Sequence, residues 1–155
     1  MLFDYYRRLF VVLMAMIQPF IIYWVCGNIP SISSSWETIL QPLFIITNAC
    51  VSYFFFDLPK WRVSSVLLLF LTAFSVSQFK DIHNVLAVLF FISCLFPLFE
   101  TKRFKIYSAL YLMSIPIWSF FGMYWMETWA IEVLCLFHLN MILYVRKLSL
   151  RKDSN

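Results

Sequence analysis

Long apolar runs alternate with short polar joints along this chain. Six runs stand out, at about 9–27, 36–56, 63–79, 84–100, 106–124 and 127–145. Each is near the ~17–25 residues that carry a helix across the hydrocarbon of a bilayer. The joints read "NIPSISSSW", "DLPKWR", "KDIH", "TKRFK" and "WME". Connections that short make successive helices antiparallel neighbours. The pattern therefore predicts an all-α fold, a polytopic transmembrane bundle of six helices in a single integral membrane domain, 1–155. The third and fourth runs are the shortest. A strand reading fails because the runs are too long and lack the dyad alternation of a membrane barrel.

Composition fixes the solvent. The chain is 63% hydrophobic, 21% aromatic and 13% charged, with a mean hydropathy of +0.82, whereas soluble domains carry about 25% charged residues. In lipid every backbone group must be satisfied internally, which leaves helices as the spanning element. Arg7, Arg8, Lys60, Arg62, Lys102, Arg103, Lys105, Arg146, Lys147, Arg151 and Lys152 fall on one side of the predicted bundle, and of the 12 basic residues Lys80 alone falls on the other. The positive-inside rule then makes both termini cytoplasmic. Basic edges facing anionic lipid account for the net charge of +4, so the partners implied are membrane lipids and no nucleic acid. The first run continues through "VVLMAMIQPFIIYWVCG", longer than a signal h-region of about 7–15 residues, and reads as a retained span. No sequon, retrieval signal or prenylation box selects between the endomembrane system (Golgi or ER) and the plasma membrane.

Cys26, Cys50, Cys94 and Cys135 are spread one to a run with no CxxC pair. They read as small apolar side chains, with Cys26 the one placed to pair in an oxidising lumen. No metal or cofactor spacing accompanies them. Pro19, Pro42, Pro97 and Pro116 lie inside runs, where each removes a backbone donor and kinks the helix. Only Gly27 and Gly122 occur, so close helix approach falls to serines such as Ser64, Ser65, Ser108 and Ser114. Tyr23, Trp24, Trp36, Tyr124, Trp125 and Trp129 map to one boundary and Tyr5, Tyr6, Trp61, Tyr107 and Tyr144 to the other, an interfacial belt. Trp118 falls in the middle of the fifth run.

The ionisable groups carry the candidate chemistry. Glu37, Asp81, His83 and Glu127 all map to the outward boundary, a candidate polar or lipid-headgroup cluster. Charges in a span usually face the bundle interior and meet partners. Glu127 and His138 are eleven residues apart, within ~20° on one helical stripe and ~16 Å apart along the axis. Glu132 points ~140° away from Glu127. Asn48 and Thr47 reach similar depth to His138 in the second run and are candidate partners for its ring nitrogens. His138, Glu132 and Asn48 thus form a second, buried polar set.

"IHNVLAVLFF", a histidine opening a span and followed by a small residue and aromatics, resembles the histidine-started span of the FRAG/DRAM/SFK group of six-span proteins. Glu127 followed by Phe137-His138 resembles the pattern that ends its GPI-remodelling members. Thr128 stands where an aromatic usually follows that glutamate, and the first outward loop is shorter than in the GPI-linked members. The resemblance implies lipid handling or GPI-anchor remodelling support in the endomembrane system, and the group also contains damage-regulated autophagy modulators. Two other functions fit the residues: a lipid-modifying acyltransferase or hydrolase with His83 as base, and a proton-linked carrier with Glu132 and His138 as relay. No nucleophile elbow, SxxK or metal-type histidine spacing supports the enzyme. A haem held by both histidines is disfavoured further by their difference in depth.

Overall fold

The computed structural model describes residues 2–153, with the side chains of 3–150. Among the described residues there is no strand. Seven α-helices follow in order: α1 Leu2–Cys26, α2 Gln41–Phe56, α3 Arg62–Ala73, α4 Lys80–Glu100, α5 Ile106–Leu112, α6 Ser114–Phe121 and α7 Met123–Asp153. Short 3-10 helices fill three joints, at Ile32–Glu37, Pro59–Trp61 and Lys102–Phe104. Three stretches are long and apolar enough to cross a membrane: Phe3–Cys26, Lys80–Glu100 and Met123–Leu150. They make the chain compatible with an integral membrane protein. Gln41–Phe56 and Ile106–Phe121 are apolar but shorter.

The helix ends depart from the six runs for identifiable reasons. α2 begins at Gln41 rather than 36, with Pro42 in its first turn, where the missing N–H has no intrahelical acceptor to lose. Pro42 therefore starts a helix instead of kinking one. α3 has 12 residues and stops at Ala73, about 18 Å of helix, where the run extended to 79. The hydroxyl of Ser75 accepts from the Gln78 amide at 3.3 Å and the Ser75 carbonyl from the Phe79 amide at 3.1 Å. This local turn outcompetes the helix, as serine side chains do. Pro116 has no N–H for the Leu112 carbonyl, and the fifth run breaks one turn earlier, at Met113, into α5 and α6. Gly27 and Gly122 close α1 and α6 with positive φ of 70° and 89°, the conformation glycine adopts without steric cost.

Serines bring the helices together. Ser52 Oγ donates to the Ser65 carbonyl at 2.8 Å and Ser65 Oγ donates to the Ser52 carbonyl at 2.7 Å, joining α2 to α3 reciprocally. Ser93 Oγ donates to Ser64 Oγ at 2.8 Å, joining α3 to α4. Small residues at such seams let backbones approach and hydrogen bond where lipid offers no alternative. Cys94, Leu98 and Phe137 are core residues between the helices. All four cysteines are free.

Basic groups gather at one end of this bundle. Arg7 bridges Asp4 at 2.8 Å and Asp57 at 2.7 Å, and Lys60 pairs with Glu100 at 2.7 Å. Arg103 lies over the Tyr144 ring at 4.0 Å and Arg146 over the Tyr5 ring at 4.5 Å. These contacts link the start of α1, the joints after α2 and α4, and the later part of α7. The side chains of Arg151 and Lys152 lie outside the described residues. Two expected belt residues are core instead: Trp61 packs against Phe55 and Phe137, and the Tyr124 hydroxyl donates to the Pro19 carbonyl. Trp118 faces outward, half exposed.

Candidate functional site

A cavity of about 90 Å³ lies between α1, α2, α3, α4 and α7. Its α7 wall is Glu127, Ile131, Leu134, Cys135 and His138, one face of a helix at the spacing 3.6 residues per turn requires. Most of the remaining wall is aliphatic and aromatic, including Val11, Val12, Phe44, Leu68, Leu71 and Phe90. Four polar side chains besides Ser33 reach it: Glu127, Gln18, Asn48 and His138. Glu127 and His138 thus sit ~16 Å apart along α7 on the wall of the same cavity.

The Glu127 end is closed by the Ile32–Glu37 3-10 helix. Ser31 caps this turn, its Oγ accepting from the Ser34 amide at 3.2 Å. The first amide of the turn, Ile32 N–H, donates to Glu127 Oε2 at 2.5 Å. An oriented backbone donor is what a buried carboxylate needs once it has left water. Ile32 packs with Ile22, Phe44 and Tyr124. Trp36 Nε1 donates to the Thr72 carbonyl at 2.9 Å, fastening the far end of the turn to α3. The joint that was expected to be a loop is therefore a plug.

His138 closes the other end inside an aromatic box. Its ring lies 4.5 Å from Trp61 and 5.1 Å from each of Phe54, Phe55 and Phe137. Among the described residues Nε2 of His138 has no hydrogen-bond partner, and neither does Thr47 Oγ1, so the expected Thr47–His138 pairing is not made. Asn48 lines the cavity without a hydrogen bond to His138 among the described residues. Glu132 is half-buried and does not line the cavity.

The outward cluster is not joined as a unit. Glu37 and Asp81 are exposed, while His83 is 2% and Glu127 7% exposed. Among the described residues no hydrogen bond or ion pair links any two of the four. His83 has a different task. Its Nδ1 lies 2.7 Å from the Phe74 carbonyl, and since a carbonyl only accepts, Nδ1 carries the proton. Phe74 is the residue after α3, where the helix has just ended and its last carbonyls need donors. His83 caps that broken end from the first turn of α4. No side-chain hydroxyl is hydrogen-bonded to His83 among the described residues.

Gln18 escaped the sequence reading. It is 2% exposed, its Nε2 has no partner among the described residues, and it lines the cavity directly before Pro19. The available signal was a lone amide in "MAMIQPFII". Among the described residues no three His, Cys, Asp or Glu side chains group as a metal site.

No protein-family model matches the chain, and neither a curated protein nor a solved structure is significantly similar to it.

Proposed function

We propose that this chain is a six-span membrane bundle, both termini cytoplasmic, that handles a membrane lipid by taking the end of one acyl chain into the cavity between Glu127 and His138. In this reading α3 with its following turn, and α5 with α6, complete the crossings that their helices alone are too short to make. The base-rich joints collected at one end support the orientation. The FRAG/DRAM/SFK resemblance points to the same class of work, lipid handling or support of GPI-anchor remodelling in the endomembrane system.

The observation that carries the proposal is the cavity itself: a predominantly apolar wall with a plugged carboxylate at one end and an aromatic-boxed imidazole at the other. Apolar cavities in packed proteins stay dry and take apolar guests, and ~150 Å³ admits a benzene ring. The smaller volume here suits the terminal methylenes of one chain. A second reading, proton transfer, draws on Glu127 and His138 lining one cavity with Nε2 of His138 unpartnered. It requires water along an otherwise oily wall. The enzyme reading has less support: the cap uses Nδ1 of His83 and leaves Nε2 without a partner among the described residues, but no side-chain hydroxyl is hydrogen-bonded to it there as a nucleophile would be.

The test is mass spectrometry of lipids that co-purify with the full-length protein in mild detergent. Ile131→Trp and Leu134→Trp fill the cavity and are expected to lose bound lipid at least tenfold, whereas Leu143→Trp, on an exposed face, retains it. Equal retention in all of them, with all of them folded, removes the lipid reading. Proton uptake into liposomes that is abolished by His138→Phe supports the second.

A further inference from the structure

A second cavity, about 280 Å³, opens at the base-rich end, between the start of α1 and the later part of α7. His138 and Phe54 belong to the walls of both cavities. The mouth carries Arg8 and Arg146, with Asp4 and Tyr5 beside them. Asp4 is already engaged: one oxygen is 2.8 Å from Arg7 and the other 2.9 Å from Arg8 Nε. That second contact is an ion pair without a directed hydrogen bond, since the Arg8 Nε–H finds no acceptor. Arg146 has no acidic partner among the described residues and is held over the Tyr5 ring at 4.5 Å. Two guanidinium groups thus face one carboxylate, leaving the mouth one positive charge in excess. At the inner wall stands His138, 3% exposed, with its Nε2 unpartnered.

We infer that this cavity is a phosphate site, built to take the phosphate of an anionic phospholipid from the leaflet at the base-rich end of the bundle. Guanidinium groups match phosphate with paired N–H donors, and basic pockets between membrane helices are where lipid headgroups bind. Arg8 and Arg146 supply those donors from two different helices, so the ligand bridges α1 to α7. Tyr5 positions Arg146 by stacking. The apolar lining, Leu58, Met141, Ile142 and Val145, meets the glycerol and first methylenes.

The inference goes beyond the acyl-chain proposal and is separable from it, because Ile131 and Leu134 line only the first cavity. Native mass spectrometry is done on the full-length protein released from nanodiscs of phosphatidylcholine with a minority of phosphatidylglycerol. The wild type is expected to retain one phosphatidylglycerol, and Arg8→Gln/Arg146→Gln to lose it at least tenfold. Lys102→Gln/Lys105→Gln, at the same end but off the cavity, keeps it. Val145→Trp, which narrows the mouth while leaving both arginines, gives the same loss and serves if the double arginine variant does not fold. In a parallel arm, inorganic phosphate is titrated onto protein in phosphatidylcholine alone. Saturable binding there that Arg8→Gln/Arg146→Gln abolishes supports the phosphate site and names free phosphate as the source. Retention unaffected by the arginine and Val145 variants, or reduced equally by the lysine pair, overturns the inference.

Discussion

The Ile32 amide and the Glu127 carboxylate, separated by 95 residues in sequence, are hydrogen-bonded at 2.5 Å in the buried lid of the bundle. Each group would be costly alone. The carboxylate has left water, and the amide is the first of a 3-10 turn with no backbone acceptor behind it.

Glu127→Ala is therefore expected to lower stability by about 1–3 kcal/mol, the cost of a buried donor left without an acceptor. Glu127→Gln keeps a carbonyl oxygen at the same reach and loses less. Thermal unfolding in detergent micelles gives the order wild type, Gln, Ala; equal losses for Gln and Ala would mean that the bond to Ile32 does not hold the plug.

His83 answers to the Phe74 carbonyl at 2.7 Å. His83→Ala is expected to cost about 1 kcal/mol by freeing that half-buried carbonyl, and His83→Asn, which retains a side-chain N–H, to recover part of it. Protein level and unfolding temperature track each other across the three. A changed lipid class in cells carrying His83→Asn at normal protein level would instead restore the general base.

The aromatic box makes an opposite prediction for His138. Removing an unpartnered buried nitrogen while keeping a ring is neutral or stabilising, so His138→Phe unfolds at the wild-type temperature or above. His138→Ala empties a space bounded by four rings and is expected to cost about 3–5 kcal/mol, as aromatic truncations do. If His138→Phe is the less stable of the two, the imidazole has a partner that matters more than its packing.

What the sequence made legible was whatever depends on one helix at a time. Glu127 and His138 share a stripe because residues eleven apart on an α-helix share a face, and both do line one cavity. The all-helical class followed from run length and solvent. Contacts created by breaks in helices were illegible. His83 groups by depth with carboxylates, yet its partner is the Phe74 carbonyl, left open to it where the chain turns out of α3 at Ser75. Glu37 ends the 3-10 turn and Asp81 lies on the exposed side of the first turn of α4, so proximity in depth did not become contact. Gln18 was hidden by its neighbour, since Pro19 accounted for the irregularity in that run.

The serine seam between α2 and α3 is a pair of bonds that run in both directions, Ser52 Oγ to the Ser65 carbonyl and Ser65 Oγ to the Ser52 carbonyl. Interhelical bonds inside membranes average only about 0.6 kcal/mol, so Ser52→Ala and Ser65→Ala are each expected to be mild. Each remaining hydroxyl keeps its backbone acceptor, but either removal loses the contact between the two Oγ atoms, 3.1 Å apart, which the double variant loses only once, so the double variant should cost less than the two single losses added together. Ser52→Val is a different test: it places a branched side chain where the α3 backbone approaches, and overpacking of that kind costs about 1–3 kcal/mol. The order expected in a reversible unfolding assay is wild type, then either alanine variant, then valine. Valine proving as mild as alanine would show that the helices have room to separate, and that hydrogen bonding rather than close approach sets their spacing.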